Sequence, residues 1–238
     1  MLPILYQDAH LIAIDKPAGL LVHRTGLDAA ETRFAVQLLR EQIGRPVWPA
    51  HRLDKGTSGV LLFALDRDTA SALGQVFEHG GQLDKTYLAM VRGWPDDAGL
   101  IDHPLKRLPD DARATARALE VQPARTRYRT LARHTLPVPH GAFAATRCAL
   151  LELRPDTGRR HQLRRHCKHI AHPIIGDATH GKGPLNRALA DWLGVRRLWL
   201  HAAELALAHP VSGAPLRITA PPGDEWACWG QAGAEPRP

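Results

Sequence analysis

Short apolar runs separated by turn residues fill the first quarter of the chain. Residues 4–6 and 11–14 flank a short polar turn, and residues 20–22 follow a Pro-Ala-Gly turn, so we predict three strands. Residues 60–65 (VLLFAL) form an uninterrupted apolar run of strand length, which is typical of a strand buried on both faces. The pattern therefore predicts a sheet with residues 60–65 near its centre.

Helical periodicity appears between and after these strands. In residues 32–43 the apolar side chains recur every three or four positions, and Gly44 is expected to end that helix. A second helix is predicted to begin at a cap formed by Asp66 or Asp68 and to continue through Phe77. The first third of the chain thus mixes strands with helices.

The rest of the chain continues the same mixture. Further strands are predicted over 86–93, 114–121, 126–135, 145–155, 198–207 and 215–219. Residues 114–121 and 126–135 are expected to pair as two basic strands, and the last two strands to form a hairpin. A helix rich in arginine and histidine is predicted over 159–171, and another over 184–194 opens with proline and closes with glycine. Because the elements do not alternate regularly as β-α-β units, we expect the α+β class with a mixed, mostly antiparallel sheet.

The chain shows no internal repeat and no low-complexity linker. We expect one domain over residues 1–225 and a flexible tail over 226–238, where glycine, alanine and proline predominate. Three cysteines without a C-x-x-C pair argue against a disulfide framework or a Cys-rich zinc site. The N terminus lacks the basic segment of a signal peptide, and no apolar run approaches about 18 residues. We therefore expect a cytoplasmic protein without a membrane partner.

The positive charge of the chain favours a polyanionic partner. Lys and Arg number 31 against 24 Asp and Glu, and the formal net charge is +7. Residues 106–133 hold eight basic and three acidic residues, and residues 154–169 hold six basic residues and one acidic residue. Either segment alone could be an ordinary solvated face. Two segments of the same sign favour a nucleic-acid-binding surface.

Motifs for cofactors and metals are absent from the sequence. Neither G-x-x-x-x-G-K-[ST] nor G-x-G-x-x-G occurs, so no nucleotide cofactor is expected. A nucleophile elbow starting at Gly56 fails because Val60 stands where the closing glycine should be. His161 and His166 lie on one predicted helix but point about 140° apart, which is poor geometry for sharing a metal ion. We expect neither a cofactor nor a metal site.

The densest polar segment is HRLDKGTSG at residues 51–59, directly before the predicted central strand. In a structural reading, its glycines form turns, Thr57 and Ser58 cap backbone groups, and Asp54 pairs with Arg52. In a functional reading, a polar loop at the end of a buried strand displays catalytic residues on a rigid scaffold. The loop by itself leaves both readings open.

The segment HRLDKGTSG resembles the catalytic H-R-L-D-x-x-T-S-G motif of the RluA family of pseudouridine synthases. Other segments match motifs of that family in the same order: DKPAGLLVHR at 15–24, DKTYLAMVRG at 84–93, TGRRHQLRRH at 157–166 and HPIIGD at 172–177. The resemblance spans nearly the whole chain. It implies the pseudouridine synthase fold, in which a mixed sheet with flanking helices surrounds a central RNA-binding cleft.

The resemblance also implies the chemistry. Pseudouridine synthases break the N1–C1′ bond of a uridine, rotate the base and rejoin it through C5, which needs no cofactor. Asp54 would be the catalytic nucleophile, attacking either C6 of the base or C1′ of the ribose. Arg164 would pair with Asp54, unless it faces a phosphate. Tyr87 would stack on the base and exchange a proton near C5, unless it is an ordinary strand tyrosine.

Further residues would hold the RNA. By the resemblance, Arg52 helps to flip the target uridine out of its stack, although it could instead pair with Asp54. His51 would position the loop, and Leu163 would pack against the base unless it is a core residue. Phosphate contacts are expected from residues 106–133 and from basic side chains elsewhere, namely Lys16, His23, Arg24, Arg159, Arg160 and Arg165.

The short N terminus bears on which RNA is modified. Many relatives carry a small RNA-binding domain before the DKPAG segment, and none fits here. This short form, together with His180 where many relatives have tyrosine, most resembles the family members that modify uridine 65 of tRNA. We therefore expect tRNA as the partner of a monomer without a protein partner, with ribosomal RNA as the alternative substrate.

Two other function classes compete with this one. A non-catalytic RNA-binding protein on the same fold would not need Asp54, Tyr87 and Arg164 together. A carboxylate-dependent glycosidase or a two-metal nuclease would need further acidic residues near Asp54, and the motifs offer little beyond Asp177.

Overall fold

The computed structural model describes residues 1–23, 32–79, 83–107, 120–230 and 234–235. Its strands are β1 (Ile4–Gln7), β2 (Leu11–Lys16), β3 (Trp48–Pro49), β4 (Ser58–Ala64), β5 (Leu83–Arg92), β6 (Ala98–Asp102), β7 (Leu105–Lys106), β8 (Val121–Gln122), β9 (Arg125–Leu136), β10 (Thr146–Pro155), β11 (Leu200–Ala208), β12 (Pro215–Thr219) and β13 (Ala234–Glu235). Its helices are α1 (Ala35–Ile43), α2 (Arg67–His79), α3 (Gln162–His169), α4 (Gly183–Leu193) and α5 (Ala227–Gly230), the last preceded by a 3₁₀ turn at Asp224–Trp226.

Most of the described strands join one sheet. Its main path runs β1-β2-β4-β11-β5-β10-β9-β13, with β3 paired to β4, β12 to β11 and β6 to β9. β7 and β8 pair separately with each other. Among the described strands, β4 and β11 run parallel and the other pairs run antiparallel. The predicted α+β class with a mixed, mostly antiparallel sheet is confirmed.

β4 is the buried strand that the apolar run predicts, and all seven of its residues are buried. Alternate side chains of a strand face opposite sides of the sheet. Leu61 and Phe63 pack with Leu39 of α1, whereas Leu62 packs with Leu73 of α2. Full burial of such a side chain contributes roughly 1.5–3 kcal/mol. An uninterrupted apolar run is needed here because helices cover both faces of the strand.

β5 joins the two halves of the sheet, because it pairs with β11 on one side and with β10 on the other. Tyr87 of β5 lies opposite Leu153 of β10 and Ala202 of β11. Leu153 also belongs to an apolar cluster with Leu163 and Cys167 of α3. This cluster holds α3 against the middle of the sheet.

The helix ends follow the signals in the sequence. Gly44 ends α1 in the left-handed conformation (φ 67°), and its N–H donates to the Arg40 carbonyl oxygen. Asp66 caps α2, because its Oδ1 accepts the Thr69 N–H at 2.7 Å. Gly194 ends α4 at a φ of 71°. These three predicted boundaries are confirmed.

No helix in the described ranges is both long and apolar enough to cross a membrane.

Two predicted elements differ from the structure near the motifs. Residues 20–22 do not form a strand, because the chain leaves the sheet at the preceding turn and Leu21 makes only a single bridge to Phe34. α3 begins at Gln162 rather than at residue 159, because His161 adopts a φ of 55° that a right-handed helix cannot contain.

The predicted pairing of residues 114–121 with residues 126–135 is also wrong in the part that the structure describes. β9 pairs with β10 over ten residue pairs and with β6 on its other edge, so both of its edges are occupied. Val121 belongs to β8, which pairs with β7. Residues 114–119 lie outside the described residues. β3 and β6 were not predicted.

Residues after position 225, the predicted end of the domain, still pack against the rest of the protein. Trp229 is buried, and its ring centroid lies 5.2 Å from that of Trp199. The Trp226 ring lies 5.3 Å from Trp199, and β13 pairs with β9. The packed structure therefore extends beyond residue 225, because Trp229 buries its ring and Trp226 half-buries its ring in the same apolar cluster.

Candidate active site

Asp54 lies in the polar loop that joins β3 to β4. The Thr57 N–H donates to the Asp54 carbonyl oxygen at 3.0 Å and closes a turn. Gly59 has a φ of 107°, and a Cβ there would overlap the carbonyl group of Ala202 on β11. Glycine is needed at this position because the backbones of β4 and β11 approach so closely. The loop is thereby fixed at the start of a buried strand, and the Asp54 side chain stays 19% exposed.

Lys16 is fully buried behind this loop. Its ammonium donates to the carbonyl oxygens of Pro17 at 2.9 Å, Leu20 at 2.7 Å and Lys55 at 3.3 Å. Burial lowers the pKa of Lys16 to about 7, against the opposing effect of the Asp54 charge. The predicted phosphate contact of Lys16 is wrong for this structure. The side chain instead ties the turn after β2 to the Asp54 loop.

Arg164 of α3 contacts the Asp54 loop directly. Its Nη1 donates to Asp54 Oδ2 at 2.9 Å. Its Nε and Nη2 donate to the two carboxylate oxygens of Asp177, each at 2.8 Å. One guanidinium thus binds two carboxylates, and its side chain is only 10% exposed. The structure brings together the pair that the resemblance implies and adds a second carboxylate to it.

Asp177 orients Arg164, a role that the sequence did not reveal. Its side chain is fully buried, and its Oδ1 also accepts the N–H groups of Thr179 and His180, each at 2.9 Å. Burial opposes ionisation, but the Arg164 hydrogen bond and these N–H groups hold the pKa of Asp177 below its ordinary value. The HPIIGD motif marked this aspartate, but nothing in the sequence indicated which cation it would bind.

His161 and His180 form a further pair beside Asp54. Nδ1 of His161 lies 3.2 Å from Nε2 of His180, and Nε2 of His161 lies 3.9 Å from Asp54 Oδ1. Burial and the charge of Arg164 lower the pKa of His161 to about 4, against the effect of Asp54, so the ring is neutral at pH 7. His161 also has a left-handed backbone conformation, with a φ of 55°, and such strained residues cluster at functional sites.

Within the described ranges, no three His, Cys, Asp or Glu side chains are arranged to hold a metal ion.

Gln162 shapes the loop that carries His161. Its Oε1 accepts the Thr157 hydroxyl at 2.7 Å and the Arg159 N–H at 2.9 Å. Its Nε2 donates to the Arg125 carbonyl oxygen at 2.9 Å. The buried amide therefore binds the loop before α3 to the start of β9, which explains why the first residue of α3 is a glutamine.

A cavity of about 430 Å³ opens beside Asp54, within the range of about 300–1,000 Å³ that ligand sites occupy. Tyr87, Leu163 and Arg164 line it together with Asp54. Burial, and then the negative charge of Asp54, raises the pKa of Tyr87, so the phenol stays protonated at neutral pH. Leu163 is buried and also belongs to the core cluster under α3. The predicted catalytic residues thus meet in one cavity.

His51 forms another wall of this cavity. Its ring stacks on Phe77 of α2, with centroids 4.9 Å apart and planes 10° apart. Its Nε2 accepts the Leu62 N–H at 3.2 Å. Burial, and then the charge of Lys85, lowers the pKa of His51 to about 4. These contacts anchor the loop to β4 and α2, as the predicted positioning role requires.

A groove of about 170 Å³ adjoins the cavity, and most of its side chains are basic. The described lining residues are Arg52, Lys106, Arg107, Gln122, Gly158, Arg159, Arg160 and Arg165. Arg52, Arg159 and Arg160 line both the groove and the cavity, and the exposed His23 also borders the cavity. None of the described lining residues of the groove is acidic. Arg24 and residues 108–119 lie outside the described residues.

Comparison with known proteins decides the family. A sequence profile described as RNA pseudouridylate synthase matches residues 10–169. The chain belongs to the RNA pseudouridylate synthase family. Members of this family isomerise uridine to pseudouridine in RNA, so the chain is an isomerase and the enzyme class that the motifs predicted is confirmed.

Relatives of this pseudouridine synthase match along most of its length. The tRNA pseudouridine synthase C of Vibrio cholerae is 49% identical over 228 residues, which cover 95% of this chain and 93% of the relative. The structure of human RNA pseudouridylate synthase domain containing 1 is 26% identical, with a TM-score of 0.71 and coverage of 93% and 84%. Human RNA pseudouridylate synthase domain containing 4 is 28% identical, with a TM-score of 0.68 and coverage of 95% and 90%. The predicted pseudouridine synthase fold is confirmed.

In this pseudouridine synthase, most of the site residues expected from the sequence share the cavity. They are His23, His51, Arg52, Asp54, Tyr87, Arg159, Arg160, Leu163 and Arg164. Lys16 lies outside it, in its cage of carbonyl groups. Sequence reasoning gave no role in the site to Phe77, Lys85 and His161. It named Asp177 and His180 but did not foresee their contacts with Arg164 and His161. Side chains two positions apart on a strand lie on the same face, so the predicted role of Tyr87 on β5 could have indicated Lys85 as a further site residue.

Proposed function

We propose that this chain converts a uridine of tRNA, at position 65, into pseudouridine with Asp54 as the catalytic nucleophile. The observation that carries the proposal is the network of Asp54, Arg164 and Asp177 at the edge of the cavity that Tyr87 lines. Asp54 is held by a charge-assisted hydrogen bond and is still partly exposed to the cavity. A preoriented carboxylate that a substrate can reach is what nucleophilic attack requires.

Tyr87 supports the proposal from the adjacent strand. Its position on β5 keeps the ring rigid, so a detached uracil could stack on it while it turns. Because the phenol stays protonated at neutral pH, it is able to deliver or exchange a proton near C5 of the base. The neutral His161 beside Asp54 adds no charge that would compete with Arg164 for the carboxylate.

The basic groove supports an RNA substrate that is held by its backbone. The target uridine must leave its stack to enter the cavity, which costs a few kcal/mol. Phosphate contacts along the groove, from side chains such as Lys106 and Arg159, would offset that cost. Arg52 borders both the groove and the cavity, which fits its predicted part in flipping the base.

The relatives favour tRNA over ribosomal RNA. The chain is 46–50% identical to bacterial proteins named tRNA pseudouridine synthase C. Ribosomal RNA is the alternative substrate within the family. A non-catalytic RNA-binding protein on this fold is the alternative class, although binding alone does not require the Asp54–Arg164 pair. The monomeric state and the cytoplasmic location stay predictions.

The test is release of tritium from C5-labelled uridine in unmodified tRNA, with mapping of the pseudouridine formed. We expect release by the wild-type chain and by Asp84→Asn, whose exposed aspartate is a matched control on β5. We expect none by Asp54→Asn. Release from ribosomal RNA and not from tRNA would show that ribosomal RNA is the substrate. Release by Asp54→Asn at the wild-type rate would show that Asp54 is not the catalytic nucleophile.

A further inference from the structure

Lys85 is a cation in the active-site cavity to which the mechanism above gives no role. It lies two positions before Tyr87 on β5, so both side chains leave the strand on the same face. Both line the cavity beside Asp54. A Cβ added at Gly158 would lie 3.8 Å from the Lys85 Nζ, which places the ammonium against the loop before α3. The ammonium therefore lies where the wall of the cavity meets the loop before α3.

Lys85 differs from the other cations of the site in its surroundings. Within the described residues it makes no hydrogen bond and no ion pair. Arg164 is already bound to two carboxylates, and Asp156, the carboxylate that acts on Lys85, pairs with Arg127 at 2.7 Å. Burial lowers the pKa of Lys85. A partly buried ammonium without an anion is costly unless a ligand supplies the negative charge.

The position of Lys85 indicates which part of the substrate supplies that charge. Arg52, Arg159 and Arg160 line the basic groove as well as the cavity, where a backbone phosphate can reach them. Lys85 lines the cavity but is not among the residues that line the groove. Its neighbours in the cavity include Phe77 and Tyr87, which are suited to the faces of a base. Lys85 is therefore placed for the base rather than for the backbone.

We propose that the Lys85 ammonium binds a carbonyl oxygen of the target uracil and stabilises the negative charge that the ring acquires during the reaction. When the N1–C1′ bond breaks, its electron pair stays on N1 and the charge spreads to O2 and O4. If Asp54 instead adds to C6, the electron pair of the C5–C6 double bond moves toward O4. In either route an oxygen of the ring becomes more negative, and a fixed ammonium stabilises that state more than the neutral base.

The remaining steps balance without another reactant. After the base has turned, C5 bonds to C1′. The bond that Asp54 formed, to C1′ in one route or to C6 in the other, breaks and returns the free carboxylate. C5 loses its proton and N1 gains one, so the product is an isomer of the substrate. Lys85 exchanges no atom in this sequence and acts only through its charge. The inference rests on the proposed function, because it assigns the base-binding end of the same cavity.

Lys85→Met tests this role, because it keeps the length of the side chain and removes its charge. We expect the single-turnover rate constant of tritium release at saturating tRNA to fall by about 10²–10³-fold, as when one preorganised donor is removed. The dissociation constant of tRNA should change less than about twofold, because no phosphate contact is lost. Lys182→Met, at an exposed lysine of the loop before α4, is the matched control and should keep the wild-type rate.

Chemical rescue separates a charge effect from a packing effect. Lys85→Ala leaves space for a small amine, so added methylammonium should raise its rate at least about tenfold, whereas Lys85→Met should not respond. Lys85→Arg should retain more activity than Lys85→Met, because it keeps the charge. Thermal unfolding of each variant identifies loss of the fold, and Lys85→Gln replaces Lys85→Met if the latter does not fold.

Two results would overturn the role of Lys85 alone. One is a Lys85→Met rate within about threefold of the wild-type rate. The other is an unchanged rate at saturation together with weaker tRNA binding and a salt slope reduced by about one, which would make Lys85 a phosphate contact. Absence of release by the wild-type chain from both tRNA and ribosomal RNA would overturn the proposed function and this role with it.

Discussion

Arg164 binds both carboxylate oxygens of Asp177 at 2.8 Å and reaches Asp54 at 2.9 Å with its remaining nitrogen, Nη1. The Asp177 side chain is fully buried and is itself fixed by two backbone N–H groups. The position of the Asp54 carboxylate is therefore fixed by Asp177 and the loop that follows it, through a guanidinium that has little freedom to rotate. Loss of a partner from such a buried pair leaves an uncompensated charge, which is the costly outcome for buried ion pairs.

Asp177→Asn is expected to slow catalysis without weakening RNA binding. The amide cannot accept both Arg164 hydrogen bonds as a carboxylate does, so Arg164 and Asp54 shift relative to the cavity. A displacement of about 1 Å at a reacting group can cost about 10²-fold in rate. We expect a loss of that order in the single-turnover rate constant, with the tRNA dissociation constant unchanged, since Asp177 has no exposed surface.

Asp191→Asn is the matched control for this variant, because its carboxylate is 76% exposed. It should behave as wild type in both measurements. An Asp177→Asn enzyme that folds and turns over at the wild-type rate would show that Asp54 does not depend on this network.

Tyr87 combines a ring and a hydroxyl, and two substitutions separate them. Tyr87→Phe keeps the stacking surface and removes the hydroxyl to which we assign the proton exchange, so tritium release should slow by about 10²–10⁴-fold. Tyr87→Leu removes both and should slow it further. Single-turnover release from C5-labelled tRNA measures the two rate constants. Equal rates for Tyr87→Phe and wild type would leave the tyrosine with a stacking role alone.

The sequence predicts the parts of this site that are local, and fails where folding brings distant groups together. The apolar run of β4 and the loop before it could be read directly, which is why the position of Asp54 was foreseeable. Lys16 was assigned to phosphate because its cage of carbonyl groups, which includes that of Lys55, exists only after folding. Asp177 was visible as an acid, but its two bonds to Arg164 join residues of different elements.

The same distinction applies to the fold. Periodicity located the long elements because each buries one face or both. β3 has two residues and β6 has an exposed, partly polar pattern, so neither gives a signal above that of a loop. α3 was predicted to begin three residues too early because arginine and histidine are compatible with a helix, whereas the left-handed φ of His161 is imposed by its surroundings rather than by its residue type.

His51 should make the free energy of unfolding depend on pH. Its folded-state pKa is lowered to about 4, mainly by burial and then by Lys85, whereas an unfolded histidine has a pKa of about 6.5. Between these values the unfolded state binds more protons, so stability falls as the pH falls through that window. The contribution of His51 is at most about 1.4 kcal/mol per pH unit.

Urea unfolding of wild type and His51→Asn between pH 4.5 and 7.5 tests this dependence. The variant should lose stability less steeply than wild type below about pH 6.5, and the two curves should run parallel above it. Protonation would also break the hydrogen bond that Nε2 accepts from the Leu62 N–H. Curves that stay parallel throughout would show that His51 titrates alike in the folded and unfolded states.

The basic groove predicts how tRNA binding depends on salt. Each cation that contacts a phosphate adds about 0.7–0.9 to the slope of log affinity against log salt. Lys106 is exposed and lines the groove, so Lys106→Ala should weaken tRNA binding at low salt and reduce that slope by about this amount. The single-turnover rate at saturating tRNA should stay at the wild-type value, because we propose that the groove holds the backbone and not the base. Arg217→Ala is the matched control, since its guanidinium pairs with Glu204 on β11 at 2.7 Å and lines neither the groove nor the cavity. Unchanged slopes for both variants would mean that the RNA backbone follows another path across the surface.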